Sequence, residues 1–404
     1  MNRYLFASLL LFASALHAQN PLSSADTAAA EIFRQTNSTS MVLVVVRDKE
    51  VHMQGFGQVY PGAATAPGPN SLMRFCSLTK IFTTDLLVKL MTDKTVRLDD
   101  ALQNFAPVNA LVPVQTTHGP AARPVTLGDL ATHTSGLPRE IGPVPPGARP
   151  FTFPDHDQRW TWLQSARLRA QPGAVALYSN VGFDLLGDAL ESAAHETYPQ
   201  LLAERTTGPL GMRDTTFTPT PAQCSRLLLG FHAAIDEQTR PGVCSPTTQS
   251  AGSSGLYSTP TDMAKWLQYL LGVSEIKQNS VGQAAYLFPA NLKSIKGLDH
   301  AGVPAGIGLG WMILDQPETA TRIVEKTGGG GGFTTYIALD PAHHAGVFIA
   351  LTEGNGPWNA NAFRAANDLL LGLSNLPPMA EEPLRVAAPM ARKKAVKAHG
   401  RRRR

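Results

Sequence analysis

The sequence predicts an α/β fold: one antiparallel sheet assembled from strands at both ends of the chain, helices flanking it, and a large, mostly helical region inserted between. Three observations predict it. Near the start a β-branched run, "SMVLVVVRDKEVHMQGFGQV", turns back on itself at Asp48-Lys49. In the last third, "IGLGWMIL", "TRIVEKTG", "FTTYIALDP" and "AGVFIALTE" are strand-like runs separated by turn residues. Between them, over roughly residues 76–299, apolar residues recur at helical spacing instead.

Taken in order, residues 1–18, "MNRYLFASLLLFASALHA", carry Arg3, thirteen uncharged residues from Tyr4 to Leu16, and then small residues. That pattern is a signal peptide, with cleavage after Ala18 or Ala15, and it directs the chain to the periplasm. Its apolar run falls short of the ~18–20 residues a membrane span needs. "SADTAAAEIFRQTN" follows as a helix, then the hairpin. Residues 19–75 and 300–375 are expected to form the sheet domain, and 76–299 the helical one. Its helices are "LTKIFTTDLLVKLMTDK", "VTLGDLATHT", "DQRWTWLQSARLRA", "VGFDLLGDALESAAHE", "YPQLLAERTTGPLG" and "TPTDMAKWLQYLLG". Six prolines in "GLPREIGPVPPGARPFTFPDHD" force a long irregular loop, a candidate wall of a cleft. "NAFRAANDLLLGL" closes the fold as an amphipathic helix, and 376–404 form a tail.

Export permits a disulfide. Of Cys76, Cys224 and Cys244, the last two flank a loop-like stretch whose closure stabilises by about 3 kcal/mol in the chain-entropy model. Two unpaired thiols are the alternative, and Cys76 reads as a small buried residue. The net charge of +4 hides an asymmetry: "ARKKAVKAHGRRRR" holds eight basic residues and no acid, so the rest of the chain carries +4 less 8, or −4. Such a tail attracts polyanions. For an exported protein these are an anionic membrane surface or acidic wall polymer, and not nucleic acid. A solvated tail without a partner is the bland reading.

Nucleotide and metal chemistry find no support. In "KTGGGGGF", Lys326 precedes the glycines and a strand follows, the reverse of a phosphate-binding loop; "GIGLGW" lacks the third glycine of a dinucleotide fingerprint. The histidines show no zinc-site spacing, and His133 in "THTSGLP" reads as structural. No cofactor is expected.

Acyl chemistry does find support. In "RFCSLTKIFTTDLL", Ser77 and Lys80 stand three residues apart at a helix start, so the amine can reach the hydroxyl. Serine needs a neighbouring base, and lysine serves only when burial or nearby positive charge keeps it neutral. Ser274-x-x-Lys277 repeats the spacing in a polar stretch and reads as surface. Tyr178 and Asn180, at the turn into a helix in "PGAVALYSNVGFDLLG", could relay a proton and hold a substrate carbonyl. A buried tyrosine and an asparagine N-cap would be the structural alternative. Lys326-Thr327-Gly328-Gly329 end a strand, where lysine and threonine could bind a carboxylate and the glycines let substrate backbone approach.

Ser77-x-x-Lys80, Tyr178-x-Asn180 and Lys326-Thr327-Gly328 together resemble the class C serine β-lactamase and penicillin-binding family. "LGDLATHTSGLP", "GPLGMRDTTF" and "AGSSGLYSTPTDMAKWL" carry the likeness over residues 40–370; "THTSGLPRE" and "EKTGGGGGFTTYIALDP" look most like AmpH-type D-alanyl-D-alanine carboxypeptidase/endopeptidases. The resemblance implies a β-lactamase-like (DD-peptidase) fold and cleavage of peptidoglycan stem peptides through a Ser77 acyl-enzyme, which penicillins would also form. It implies Ser77, Lys80 and Tyr178 as catalytic, with Asn180, Lys326, Thr327, Gly328 and Gly329 binding substrate. A β-lactamase, an esterase or a slow-turnover penicillin sensor would use the same residues.

Overall fold

A computed structural model describes residues 21–115, 123–142, 153–229, 244–278, 280–298, 301–316, 319, 321–352 and 360–379. The predicted signal peptide, part of the proline-rich loop and nearly all of the basic tail lie outside them. Among the described residues no helix is long and apolar enough to cross a membrane.

Seven strands form one antiparallel sheet in the order β2-β1-β11-β10-β9-β8-β7. The N-terminal hairpin supplies β1 (Ser40–Arg47) and β2 (Glu50–Gly57), and the C-terminal third supplies β7 (Pro304–Ile307), β8 (Met312–Gln316), β9 (Thr321–Gly330), β10 (Phe333–Asp340) and β11 (Ala345–Thr352). The two ends meet where β1 pairs with β11, from Met41↔Leu351 to Arg47↔Ala345. Two short pairs lie outside this sheet: β3 (Met73–Arg74) with β5 (Tyr257–Ser258), and β4 (Ala176–Leu177) with β6 (Ile295–Lys296).

The run "MVLVVVR" is apolar without alternation because both faces of the sheet are covered. Met41, Leu43 and Val45 pack with Ala29 and Ile32 of α1 (Ala25–Thr36) and Phe363 and Leu370 of α9 (Ala360–Leu373). Val42, Val44 and Val46 face the opposite cluster, where Phe82 of α2 (Thr79–Thr92) stacks on Trp266 of α8 (Pro260–Leu270) at 4.0 Å. Each large side chain buried there stabilises by about 1.5–3 kcal/mol.

Between β2 and β7 the described elements are mainly helical: α2, α3 (Leu127–Ala131), α4 (His156–Leu163), α5 (Asn180–Ala194), α6 (Tyr198–Leu202), α7 (Pro221–Cys224) and α8. Arg159 of α4 and Asp188 of α5 form a buried ion pair at 2.6 Å. Cys224 and Cys244 are joined, with Cα atoms 5.5 Å apart, and Cys76 is a buried free thiol.

Several predicted elements come out shorter, among them "VTLGDLATHT", which is helical only over Leu127–Ala131. "DQRWTWLQSARLRA" stops being helical at Leu163. "IGLGWMIL" breaks into β7 and β8, because Gly310 takes φ +75° and Gly308 N–H donates to the Trp311 carbonyl at 2.9 Å, making a turn.

Candidate active site

Ser77 lies in a single 3₁₀ turn, Cys76–Leu78, that runs straight into α2, so Lys80 follows one turn later on the same face. The turn begins with Cys76 at φ +52°, an uncommon conformation for a residue with a side chain. Its thiol donates to the Gly330 carbonyl at 3.1 Å, and Arg74 donates to the Gly331 carbonyl at the same distance. The nucleophile's turn is thereby tied to the β9–β10 hairpin.

Tyr178 and Asn180 flank the N-cap of α5. The cap itself is Ser179, which accepts from Gly182 N–H at 2.9 Å and donates to the Pro138 carbonyl at 2.6 Å, so Asn180 is the first helical residue and not the cap. Capping of this kind is worth about 1 kcal/mol. Here it also fixes the directions of the side chains on either side.

These elements converge on one hydroxyl. Tyr178 donates to Ser77 Oγ at 2.5 Å, and Lys80 Nζ lies 3.3 Å from the same oxygen. Lys80 is fully buried and makes two shorter contacts, to Asn180 Oδ1 at 2.6 Å and to the Ser253 carbonyl at 2.8 Å. Burial, then the charge of Lys326, holds its pKa well below the usual lysine range. A neutral amine has two hydrogens and one lone pair. With the hydrogens given to Asn180 and Ser253, the lone pair is left for the Ser77 proton.

Two cations lie against the Tyr178 ring, the Arg139 guanidinium at 4.7 Å and Lys326 Nζ at 5.4 Å from its centre, and the Lys80 amine lies 4.8 Å from it. Such charge stabilises negative charge developing on the phenol oxygen. Lys326 also donates to the Thr327 carbonyl at 2.7 Å.

The Lys326–Gly330 stretch of β9 is an open edge. β8 pairs with β9 only from Thr321 to Glu325, so beyond Glu325 only β10 lies alongside. The two glycines differ there. Gly329 is exposed on the strand, whereas a Cβ on Gly328 would sit 2.3 Å from Thr335 Oγ1 and 2.7 Å from the Phe75 carbonyl. Gly328 therefore serves the close packing of β9 on the nucleophile's turn, and not the approach of substrate.

Sequence reasoning missed Glu140 and Asp184 as neighbours and took His133 as structural only. Glu140 accepts from Asn180 Nδ2 at 2.5 Å, and burial raises its pKa. Asp184, one turn further along α5, is hydrogen-bonded to Ser253, and burial raises its pKa to about 7. His133 stacks on Tyr178 at 4.5 Å and accepts from Ser179 N–H through Nδ1. Burial, then Lys80 and Lys326, keeps its pKa well below the usual histidine value. The only signal was "THTSGLPRE", which contains His133, Arg139 and Glu140. Lys277 is exposed, as expected, and Ser274 is half-buried, its hydroxyl donating to the Ile276 carbonyl at 2.8 Å. Among the described residues no group of acids, histidines or cysteines could hold a metal ion.

A serine held between a buried lysine of lowered pKa and a tyrosine, beside an open strand edge, defines a serine acyl-transfer centre. The chain belongs to the β-lactamase family, whose model matches residues 25–372. It is 39% identical to the D-alanyl-D-alanine-carboxypeptidase/endopeptidase AmpH of Escherichia coli K12, over 94% of this chain and 99% of that one. The crystal structure of a Yersinia pestis β-lactamase/D-alanine carboxypeptidase, in complex with citrate, superimposes with a TM-score of 0.80 at 40% identity, covering 88% of this chain and 99% of that one. A class C β-lactamase of Rhodobacter sphaeroides shares the fold, with a TM-score of 0.64 at 21% identity over 86% of this chain and 98% of that one.

Proposed function

We propose that this chain is a serine D,D-peptidase, a D-alanyl-D-alanine carboxypeptidase and D,D-endopeptidase acting on peptidoglycan peptides. The observation that carries the reading is the Ser77 hydroxyl, hydrogen-bonded to Tyr178 and facing the Lys80 amine beside the Lys326–Gly330 edge. The name of the Escherichia coli relative supports the substrate class.

In the proposed reaction Lys80 takes the Ser77 proton as Oγ attacks the carbonyl of the penultimate D-alanine. The C–N bond then breaks. Its amine, free D-alanine or a cross-linked peptide, receives a proton through Tyr178. Water adds to the acyl-enzyme and returns Ser77 to its resting state. Backbone N–H groups of Ser77 and Gly329 would hold the oxyanion, and one such donor is worth about 2.7–4 kcal/mol of barrier by precedent. Asn180 would orient the acyl amide, and Lys326 with Thr327 the carboxylate on the leaving side. Penicillins would acylate the same oxygen.

Digestion of purified peptidoglycan with mass analysis tests the reading: free D-alanine reports carboxypeptidase action and monomers from dimers report endopeptidase action. Absence of both removes the peptidase assignment and leaves hydrolysis of a cephalosporin or a short-chain ester to be measured instead. Ser77→Ala should abolish labelling by a fluorescent penicillin. Retained labelling would move the nucleophile elsewhere. The signal-like N-terminus supports a periplasmic location, and the basic tail supports peripheral attachment to an anionic surface. Deleting residues 390–404 should then shift the protein into the soluble fraction, and an unchanged distribution would count against attachment.

A further inference from the structure

A second cavity, of about 390 Å³, opens between the start of α4, one face of α5, the start of α6 and the loop at residues 248–252. That is the size of a small-molecule site. None of Ser77, Lys80, Tyr178 or Lys326 lines it, so it is separate from the acylation centre. Asp184, Asp188 and Glu191 line it at helical spacing from α5, and Asp155 adds a fourth acid from α4, against Arg159 as the one arginine or lysine in its wall. Thr197 and Thr248 are exposed at its rim, whereas Asp184, Asp188 and Arg159 are buried.

Three of the four acids have partners. Asp188 pairs with Arg159 at 2.6 Å, Glu191 accepts from Tyr198 N–H at 2.8 Å, and Asp155 caps α4 by accepting from Gln158 N–H at 2.9 Å. Arg159 has nothing left to give, because its other N–H groups donate to the Pro154 and Gln249 carbonyls, both at 2.7 Å. His156, at the rim, pairs with Asp157 at 3.0 Å. Asp184 is different. It is 4% exposed, and its contact with Ser253 leaves Oδ1 without a hydrogen-bond partner among the described residues. A buried carboxyl oxygen left unpartnered costs free energy that a bound donor would recover. No group of acids described in the structure could hold a metal ion, and the cavity is far larger than a bare ion needs. We propose that this cavity binds a small organic cation through a primary ammonium group that donates to Asp184. The ammonium would take the place of the proton that burial otherwise favours on that carboxyl. The site does not depend on the peptidase reading.

Calorimetric titration of the whole chain with the diamine putrescine, at constant ionic strength, tests it against the uncharged diol of the same length. Putrescine should bind saturably with one molecule per chain, and the diol should not. Asp184→Asn should weaken putrescine by about tenfold or more, the range of a charge-assisted hydrogen bond. Thr248→Trp, a change at the exposed rim that narrows the entrance and leaves every acid in place, should weaken it as well. Absence of saturable binding, or equal binding of the diol, would overturn the proposal. So would undiminished affinity in Asp184→Asn. Thermal melting shows whether that variant has folded; if it has not, Thr248→Trp decides, and undiminished affinity there would place the amine on some other acidic surface and overturn the site.

Discussion

Lys80 illustrates how a single side chain can be prepared for its chemistry by the atoms that accept from it. Asn180 and the Ser253 carbonyl take two hydrogens, and burial with Lys326 removes the reason to carry a third. Activity should fall as pH drops through the Lys80 pKa, because the protonated amine has no lone pair to offer. Lys326→Gln removes a cation that lowers this pKa, so the acid limb of the kcat/KM profile should move to higher pH; a uniform loss with an unmoved limb would contradict the coupling. Tyr178→Phe should lower kcat by ~10²–10⁴, the range for a lost general acid or base, read in single-turnover kinetics. The Ser77 and Lys80 pair was readable in the sequence because helical spacing alone brings them together. Arg139, Glu140 and Asp184 were not, since each reaches the site only through tertiary packing, and an adjacent Arg-Glu in the sequence carries no spacing signal.

At the scale of elements, the five-glycine run divides by what each backbone position meets. Gly328→Ala forces a methyl group against Thr335 and the Phe75 carbonyl, backbone that cannot step aside. It should cost about 1–3 kcal/mol and slow penicillin acylation by displacing the nucleophile's turn. Gly331 sits at φ +57° in the hairpin turn, where alanine costs about 1 kcal/mol and should leave acylation nearly intact. Thermal melting with acylation rates separates the two variants, and a slower acylation in Gly331→Ala than in Gly328→Ala would reverse the assignment. The strands were readable from β-branched runs, and α2, α5 and α8 from long apolar periodicity. The early end of α4 and the split of β7 from β8 were not, because local turn chemistry overrode the pattern there. Equally hidden was the inward role of Gly328, which depends on a carbonyl some 250 residues away in the chain.

On the scale of the whole molecule, the sheet interior holds a carboxyl group. Glu325 is fully buried on β9, accepts from Ala301 N–H at 2.9 Å and from the Tyr336 hydroxyl, and burial raises its pKa to about 7. The folded state therefore keeps this proton at pH values where the unfolded chain, with an ordinary carboxylate, has lost it. Its contribution to stability is full below the unfolded pKa and declines as pH rises towards and through 7, by up to ~3 kcal/mol. Glu325→Gln should flatten urea midpoints between pH 5 and 8; an unchanged slope would place the titration elsewhere. The tie between the Cys76 turn and the Gly330 carbonyl has a consequence in time. The serine is synthesised some 250 residues before the strand edge that completes its site, and β1 must wait for β11 before it has a partner on its inner side. Contacts of such separation form late and slowly. A growing chain would thus stay inert towards acyl substrates until nearly all of it had been made, and penicillin labelling during synthesis would serve as a clock for completed folding.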